Sequence, residues 1–169
     1  MKHLTILRHA KASNKPIYDR DFDRPLTGKG RKQAPTIARV LAASKVAPDL
    51  LLSSPAVRAR ETAELVAETI GYTKAIAYEE AIYGASAATL LEILRGAPDA
   101  AEHIVLIGHN PGLENLVSGL CAGTNLRLNL RLPTAGMAQL APQVVRWRQL
   151  RWGAGELQLL IAPRFLKRL

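Results

Sequence analysis

HIVLIGHNP, residues 103–111, carries both signals on which the fold turns. His103 to Ile107 is the most strongly strand-like run in the chain. Gly108, His109, Asn110 and Pro111 then predict a sharp strand-to-helix turn, with Asn110 as cap and Pro111 as the first helical residue. The same alternation repeats outward. HLTIL at 3–7 and DLLLS at 49–53 read as strands, and Lys74 to Ala77 as another short one. Ala34, Ile37, Ala38 and Leu41 share one helix face. A second helix takes Ser54 as cap and Pro55 as first residue, buries Ala59, Ala63, Val66 and Ile70, and stops at Gly71. A third runs between Ser86 and Gly96 over Ala87, Leu90, Leu91 and Leu94. After Ala135, Met137–Leu140, Val144–Leu150 and Leu157–Ile161 are expected to finish the sheet as strands. Strands alternating with helices predict an α/β domain with a largely parallel sheet.

A chain of 169 residues is one domain in size, and long enough to bury a core without staples. No linker, repeat or low-complexity tract divides residues 1–169. The single cysteine, Cys121, excludes an internal disulfide and a cysteine-built zinc site. It suits a reducing compartment. Arg8 interrupts the first apolar run before it reaches the length of a secretory signal. No uncharged run approaches the roughly 18 residues of a membrane span. The expected location is cytoplasmic. The formal charge is +9, and it is uneven. Arg127, Arg131, Arg146, Arg148, Arg151, Arg164, Lys167 and Arg168 are opposed in the last third by Glu156 alone. Such a surface attracts phosphates, nucleic acid or an acidic protein, unless it serves only solubility.

Two strand ends bear a histidine among chemically suggestive neighbours: Arg8-His9-Ala10 and Gly108-His109-Asn110. In open α/β sheets ligands bind beyond the carboxyl ends of the strands. Arg58 falls in the first turn of the helix after Ser53-Ser54-Pro55, where free backbone amides favour an anion. If the fold gathers Arg8, His9, Arg58 and His109 in one crevice, their like charges call for a compensating anion. The guanidinium fork matches the oxygens of a tetrahedral phosphoryl group.

Leu7-Arg8-His9-Ala10, the run from Ser53 to Ala63 (SSPAVRARETA) and Gly108-His109-Asn110-Pro111 resemble the histidine phosphatase superfamily, whose fold is called phosphoglycerate mutase-like. Arg8-His9-Ala10-Lys11-Ala12-Ser13, Arg24-Pro25-Leu26-Thr27-Gly28-Lys29-Gly30, Pro133-Thr134-Ala135 and Pro163-Arg164 resemble its short branch, the SixA-like phosphohistidine phosphatases. The resemblance covers nearly the whole chain. It departs at Ala10, where the family has glycine; alanine is tolerable there if φ is negative. The resemblance implies a three-layer fold with helices on both faces of the sheet. It implies that His9 is the nucleophile, transiently phosphorylated, and that Arg8, Arg58 and His109 hold the phosphoryl oxygens. It implies no cofactor and no metal, the arginines supplying the positive charge. Glu80 matches the general acid of the mutase-like members, with Glu79 beside it. A P–N bond releases an imidazole that protonates easily, so Glu80 matters more for a phosphate ester.

Three functions follow. The first is a metal-independent phosphatase acting on phosphohistidine of a partner protein, such as a histidine phosphotransfer domain. A short chain leaves little room for an inserted lid, and an open pocket suits a protruding protein side chain. The second is a small-molecule phosphomonoesterase using Glu80. The third is a non-catalytic binder of phosphorylated protein or nucleic acid through the basic last third, kept open by Trp147 and Trp152 among arginines. The complete constellation argues against nucleic acid as partner. Ser13 and Asn14 are candidates to line the pocket. Lys11 and Arg24 either extend it or stay solvated. Thr27 is expected to cap a helix. Arg60, His3, His103 and Cys121 carry structural expectations only.

Overall fold

A strand with partners on both edges and layers on both faces needs an apolar residue at nearly every position. His103–Gly108 (β4) meets that condition, and all six of its residues are buried. A computed structural model describes residues 1–44, 46–124 and 128–168, the last two by their backbone. β4 lies between His3–Arg8 (β1) and Leu50–Ser53 (β2), parallel to both. Ala77–Tyr78 (β3) adds a parallel edge beyond β2. On the other side Met137–Pro142 (β5) runs antiparallel to β1, and Gly155–Ile161 (β6) antiparallel to β5. The order is β3-β2-β4-β1-β5-β6.

The sheet is therefore mixed. Its first four strands fulfil the parallel expectation and its last two do not. β5 and β6 are joined without a crossover helix, which restricts them to antiparallel pairing. β6 alternates half-buried and exposed residues, as an edge strand with one solvated face does.

Gly28–Ala42 (α1) and Val57–Ile70 (α2) cover one face, packing Ile37, Ala63 and Val66 against Leu7, Leu51, Val105 and Ile107. Ala87–Arg95 (α3) and Gly112–Ala122 (α4) cover the other, packing Leu90, Leu94, Leu116 and Val117 against Leu4, Ile6, Ile104 and Leu106. Alternate residues of β1 and β4 thus feed opposite layers. Thr27 and Ser86 cap α1 and α3 as expected, accepting from Gly30 and Thr89 amides, and Gly71 closes α2 in the left-handed region.

Four local readings are corrected. α2 starts at Val57 behind Ala56, since the Ser54 hydroxyl is turned to His109 and to the Ala56 amide. Asn110 caps nothing; its side-chain amide donates to the Leu132 carbonyl, and Pro111 stands in the cap position of α4. Val144–Leu150 contains a 3-10 turn, Trp147–Gln149, in place of a strand. Burial of Trp147, whose indole N–H donates to the Ala101 carbonyl at 2.7 Å, overrides the local β preference. The strand expected over Lys74–Ala77 is confined to Ala77–Tyr78.

Candidate active site

Parallel register delivers the two histidines to one place. Arg8 pairs with Gly108, and the His9 amide continues the ladder to the Gly108 carbonyl at 3.1 Å. The next residues, His9 and His109, then face each other with ring centroids 5.1 Å apart. α1 leaves β1 toward one face and α4 leaves β4 toward the other. The crevice therefore sits at the topological switch point, where open α/β sheets bind ligands. Ser54, at the end of β2, reaches His109 Nε2 at 2.8 Å.

The loop after β1 is held from several sides. Ala12 bridges to Leu26, the Ser13 amide donates to Pro25, and the Thr27 amide donates to Lys11. A side chain on Gly30 would collide with the Lys11 carbonyl, which explains the glycine there. The Ala10 amide donates to Thr62 Oγ1 at 3.0 Å. Ala135 is the only non-glycine at positive φ among the described residues, so Ala10 sits where alanine costs nothing in backbone strain.

The His9 ring is buried, and its Nδ1 lies 2.8 Å from the Ala10 carbonyl. A carbonyl only accepts, so Nδ1 carries the hydrogen and Nε2 keeps its lone pair. Arg58 Nε–H points at that lone pair at 3.3 Å. Arg8 Nε and His109 Nδ1 are buried and have no hydrogen-bond partner among the described residues. The free Nε2 of His9, two guanidiniums and an unpartnered imidazole nitrogen are thus gathered where β1 and β4 end and α2 begins. An anionic tetrahedral group would satisfy all of them.

Asp21 organises this cluster, and sequence reasoning missed it. Its carboxylate and carbonyl take both terminal nitrogens of Arg58, at 2.8 and 2.6 Å. Arg24 and the Tyr83 hydroxyl complete the carboxylate. Tyr83 in turn sets its ring edge-on to His109, 5.5 Å between centroids. Asp21 adjoins the Arg24-Pro25-Leu26-Thr27 run, but no spacing reveals that it meets Arg58. Arg24 also binds the Ser13 carbonyl and Asn14 Oδ1, so it is a scaffold for the loop. Glu80 is exposed on a short 3-10 turn, and its side chain makes no hydrogen bond or ion pair with the four central residues. Cys121 is half-buried on α4. His103 is buried near the opposite end of the sheet, between Thr5 and the Val46 carbonyl. Arg127 lies outside the described residues, as do the side chains of Lys167 and Arg168.

Burial, reinforced by the charges of His109, Arg58 and Arg8, pushes His9 down to about 3, with the Ala10 bond opposing. Burial and Arg58 lower His109 to about 4. Partial burial works against ionisation of Asp21, but hydrogen bonds from Arg24, Tyr83 and Arg58 hold its carboxyl well below the usual range. Both imidazoles are therefore neutral at pH 7. In the unfolded chain each titrates near 6.5. Unfolding then takes up protons below that pH, and stability is lost as pH falls from about 6.5 toward the folded values. The melting temperature should drop between pH 7.5 and 5.5, and His9→Gln should flatten that drop. A slope unaltered in His9→Gln would refute the assignment.

Residues 4–100 match the family described as Histidine phosphatase superfamily (branch 1). That span includes Arg8, His9, Arg58 and Glu80 and stops short of His109. An uncharacterized protein of Picosynechococcus is 34% identical over 96% of this chain and 98% of its own. The solved structure of a candidate phosphohistidine phosphatase, SixA, from Agrobacterium tumefaciens is 30% identical with a TM-score of 0.79, over 96% of this chain and 98% of that one. Its counterpart from Nakamurella multipartitia is 26% identical with a TM-score of 0.83, over 96% of both chains.

Proposed function

This chain belongs to the histidine phosphatase superfamily, and on that premise we propose that it is a phosphatase working through phosphorylated His9, with phosphohistidine on a partner protein as its substrate. The observation that carries the reading is the fixed tautomer of His9: hydrogen on Nδ1, lone pair on Nε2, facing Arg58, Arg8 and His109.

In the first step the Nε2 lone pair attacks phosphorus. The substrate P–N bond breaks, its electron pair goes to the leaving imidazole, and that nitrogen takes a proton from solvent. The incoming group replaces His9 as acceptor of the Arg58 Nε–H. Arg8 Nε and His109 Nδ1 donate to the other oxygens, where charge is spread in the transition state. The phosphorylated ring keeps its Nδ1 hydrogen, and the Ala10 carbonyl stabilises the resulting positive charge. That charge makes the ring a good leaving group. Water then attacks phosphorus, the P–Nε2 bond breaks back onto the ring, and orthophosphate leaves with the water's oxygen. Arg8 and Arg58 supply the positive charge throughout and neutral His109 a hydrogen bond, so no step assigns a role to a metal or cofactor.

Two observations favour phosphohistidine over an ester. The SixA structures 26–30% identical to this chain are described as candidate phosphohistidine phosphatases. Glu80, the general acid an ester would need, makes no side-chain hydrogen bond or ion pair with the central residues.

Brief incubation with radiolabelled phosphoimidazole should leave an acid-labile, base-stable label on the protein. Glu80→Gln should change kcat/KM by less than about threefold on phosphoimidazole and on an aryl phosphate alike. A loss of about tenfold or more confined to the aryl phosphate would make Glu80 a general acid and favour the ester reading. Absence of label and turnover with every donor would remove the reading itself.

A further inference from the structure

We propose that the groove of about 740 Å³ beside Arg8 docks an acidic segment of the phosphorylated partner, one that also carries an apolar side chain. This deepens the phosphatase reading and rests on it. The groove adjoins the candidate active site, because Arg8 and Asn110, the chain neighbours of His9 and His109, line its wall. It ends at the turn that follows β6. Its floor is apolar, built from Leu132, Ile161 and Ala162, and its rim is basic.

Arg131 and Arg164 form that rim; both are exposed, and neither has a carboxylate partner among the described residues. The Arg164 guanidinium stands over the Phe165 ring at 4.8 Å. Phe165 is 62% exposed and Leu160 40%. An apolar floor with exposed aromatic and aliphatic edges, ringed by unpaired arginines, is complementary to an amphipathic acidic segment. One acid lines the groove, Glu114, and its Oε1 already accepts from the Leu132 amide at 2.8 Å.

Two comparisons within the molecule sharpen the choice. A groove of about 700 Å³ at Met1, Val144 and Val145 is lined by one base, Arg151, and one acid, Glu156, a balance that favours no charged partner. Nucleic acid would use stacked aromatic platforms. Trp147, a candidate for that role in the sequence, is fully buried, leaving Phe165 as the one aromatic lining this groove.

The test uses two peptides, each with one chemically phosphorylated histidine and a leucine, flanked by glutamates in one and lysines in the other. Phosphoimidazole serves as a substrate without flanks. At low ionic strength the KM of the glutamate peptide should lie about tenfold below that of the lysine peptide, narrowing as salt rises. R131E/R164E should reverse the order and leave kcat/KM on phosphoimidazole unchanged, while R131K/R164K keeps the order. Equal KM values in the unaltered protein, or an order that R131E/R164E does not move, would overturn the docking groove and leave the phosphatase standing. A single-stranded oligonucleotide that displaces the glutamate peptide, followed by anisotropy, would overturn it in favour of nucleic acid. Lack of any turnover of phosphoimidazole would instead remove the phosphatase reading, and the docking of a phosphorylated segment with it.

Discussion

His9→Ala should abolish covalent labelling and lower turnover of phosphoimidazole by about ten-thousand-fold or more. The size follows from the role proposed for the side chain. Nucleophilic catalysis splits one displacement into two, and removal of the nucleophile leaves only the binding and electrostatic contribution of the remaining groups. Those groups stay in place in the variant. Asp21 still holds Arg58, and the Leu132 carbonyl still anchors Arg8 Nη1 at 3.1 Å. The variant should therefore bind inorganic phosphate, measured by calorimetry, within about an order of magnitude of the unaltered site. Fold loss is not expected, because the side-chain hydrogen bond of His9 Nδ1 is local, to the adjacent Ala10. His109→Ala makes the contrast. It should still be labelled, but more slowly by about a hundredfold, as for loss of one transition-state donor. A His9→Ala protein that keeps its label would place the nucleophile elsewhere.

Arg58→Lys should cost about a hundred- to a thousandfold in kcat/KM although the charge is conserved. The guanidinium makes three directed bonds at once: Nε to His9, Nη1 to the Asp21 carbonyl and Nη2 to the Asp21 carboxylate. An ammonium has neither that planar fork nor its reach. Arg58 is 5% exposed, so water would not readily replace the bond its Nε makes to the buried His9. Asp21→Asn probes the same unit from the far side. It keeps the shape and removes the charge that seats Arg58 and Arg24, and about tenfold of activity should go, read mainly in kcat. If the role is positioning, Asp21→Glu should recover part of the loss. Arg58→Lys with activity within a factor of five of the original would show that the fork is unimportant.

How much of this was legible depends on the range of the interaction. β1, β4 and α3 were readable because apolar spacing and capping residues are local signals, although only the hydrogen bonds of α3 close locally and β1 pairs with β4 across the length of the chain. Arg8, His9 and His109 were readable as candidates because each lies at a strand end, and parallel register carries strand ends to the same edge of a sheet. The Val144–Leu150 segment misled because its β-branched and aromatic residues answer to the burial of Trp147 against Ala101, which no local pattern encodes. Asp21 and Tyr83 were invisible for the same kind of reason. Their partners, Arg58 and His109, lie far along the chain, and an exposed-looking Asp-Phe-Asp run gives no sign of which side chain it will meet.

Residue order alone determined the alternation of strand and helix, the chemical types placed at the strand ends and the surplus of arginine in the last third. Packing decided the rest. It settled which nitrogen of His9 keeps its lone pair, what fastens Arg58, the antiparallel direction of β5 and β6, and which arginines border a groove. The seating of Arg58 and the groove depend on contacts between segments distant in sequence, which exist only after the chain has closed on itself; the His9 tautomer and the direction of β5 and β6 rest on near neighbours, but on backbone geometry that no residue pattern spells out.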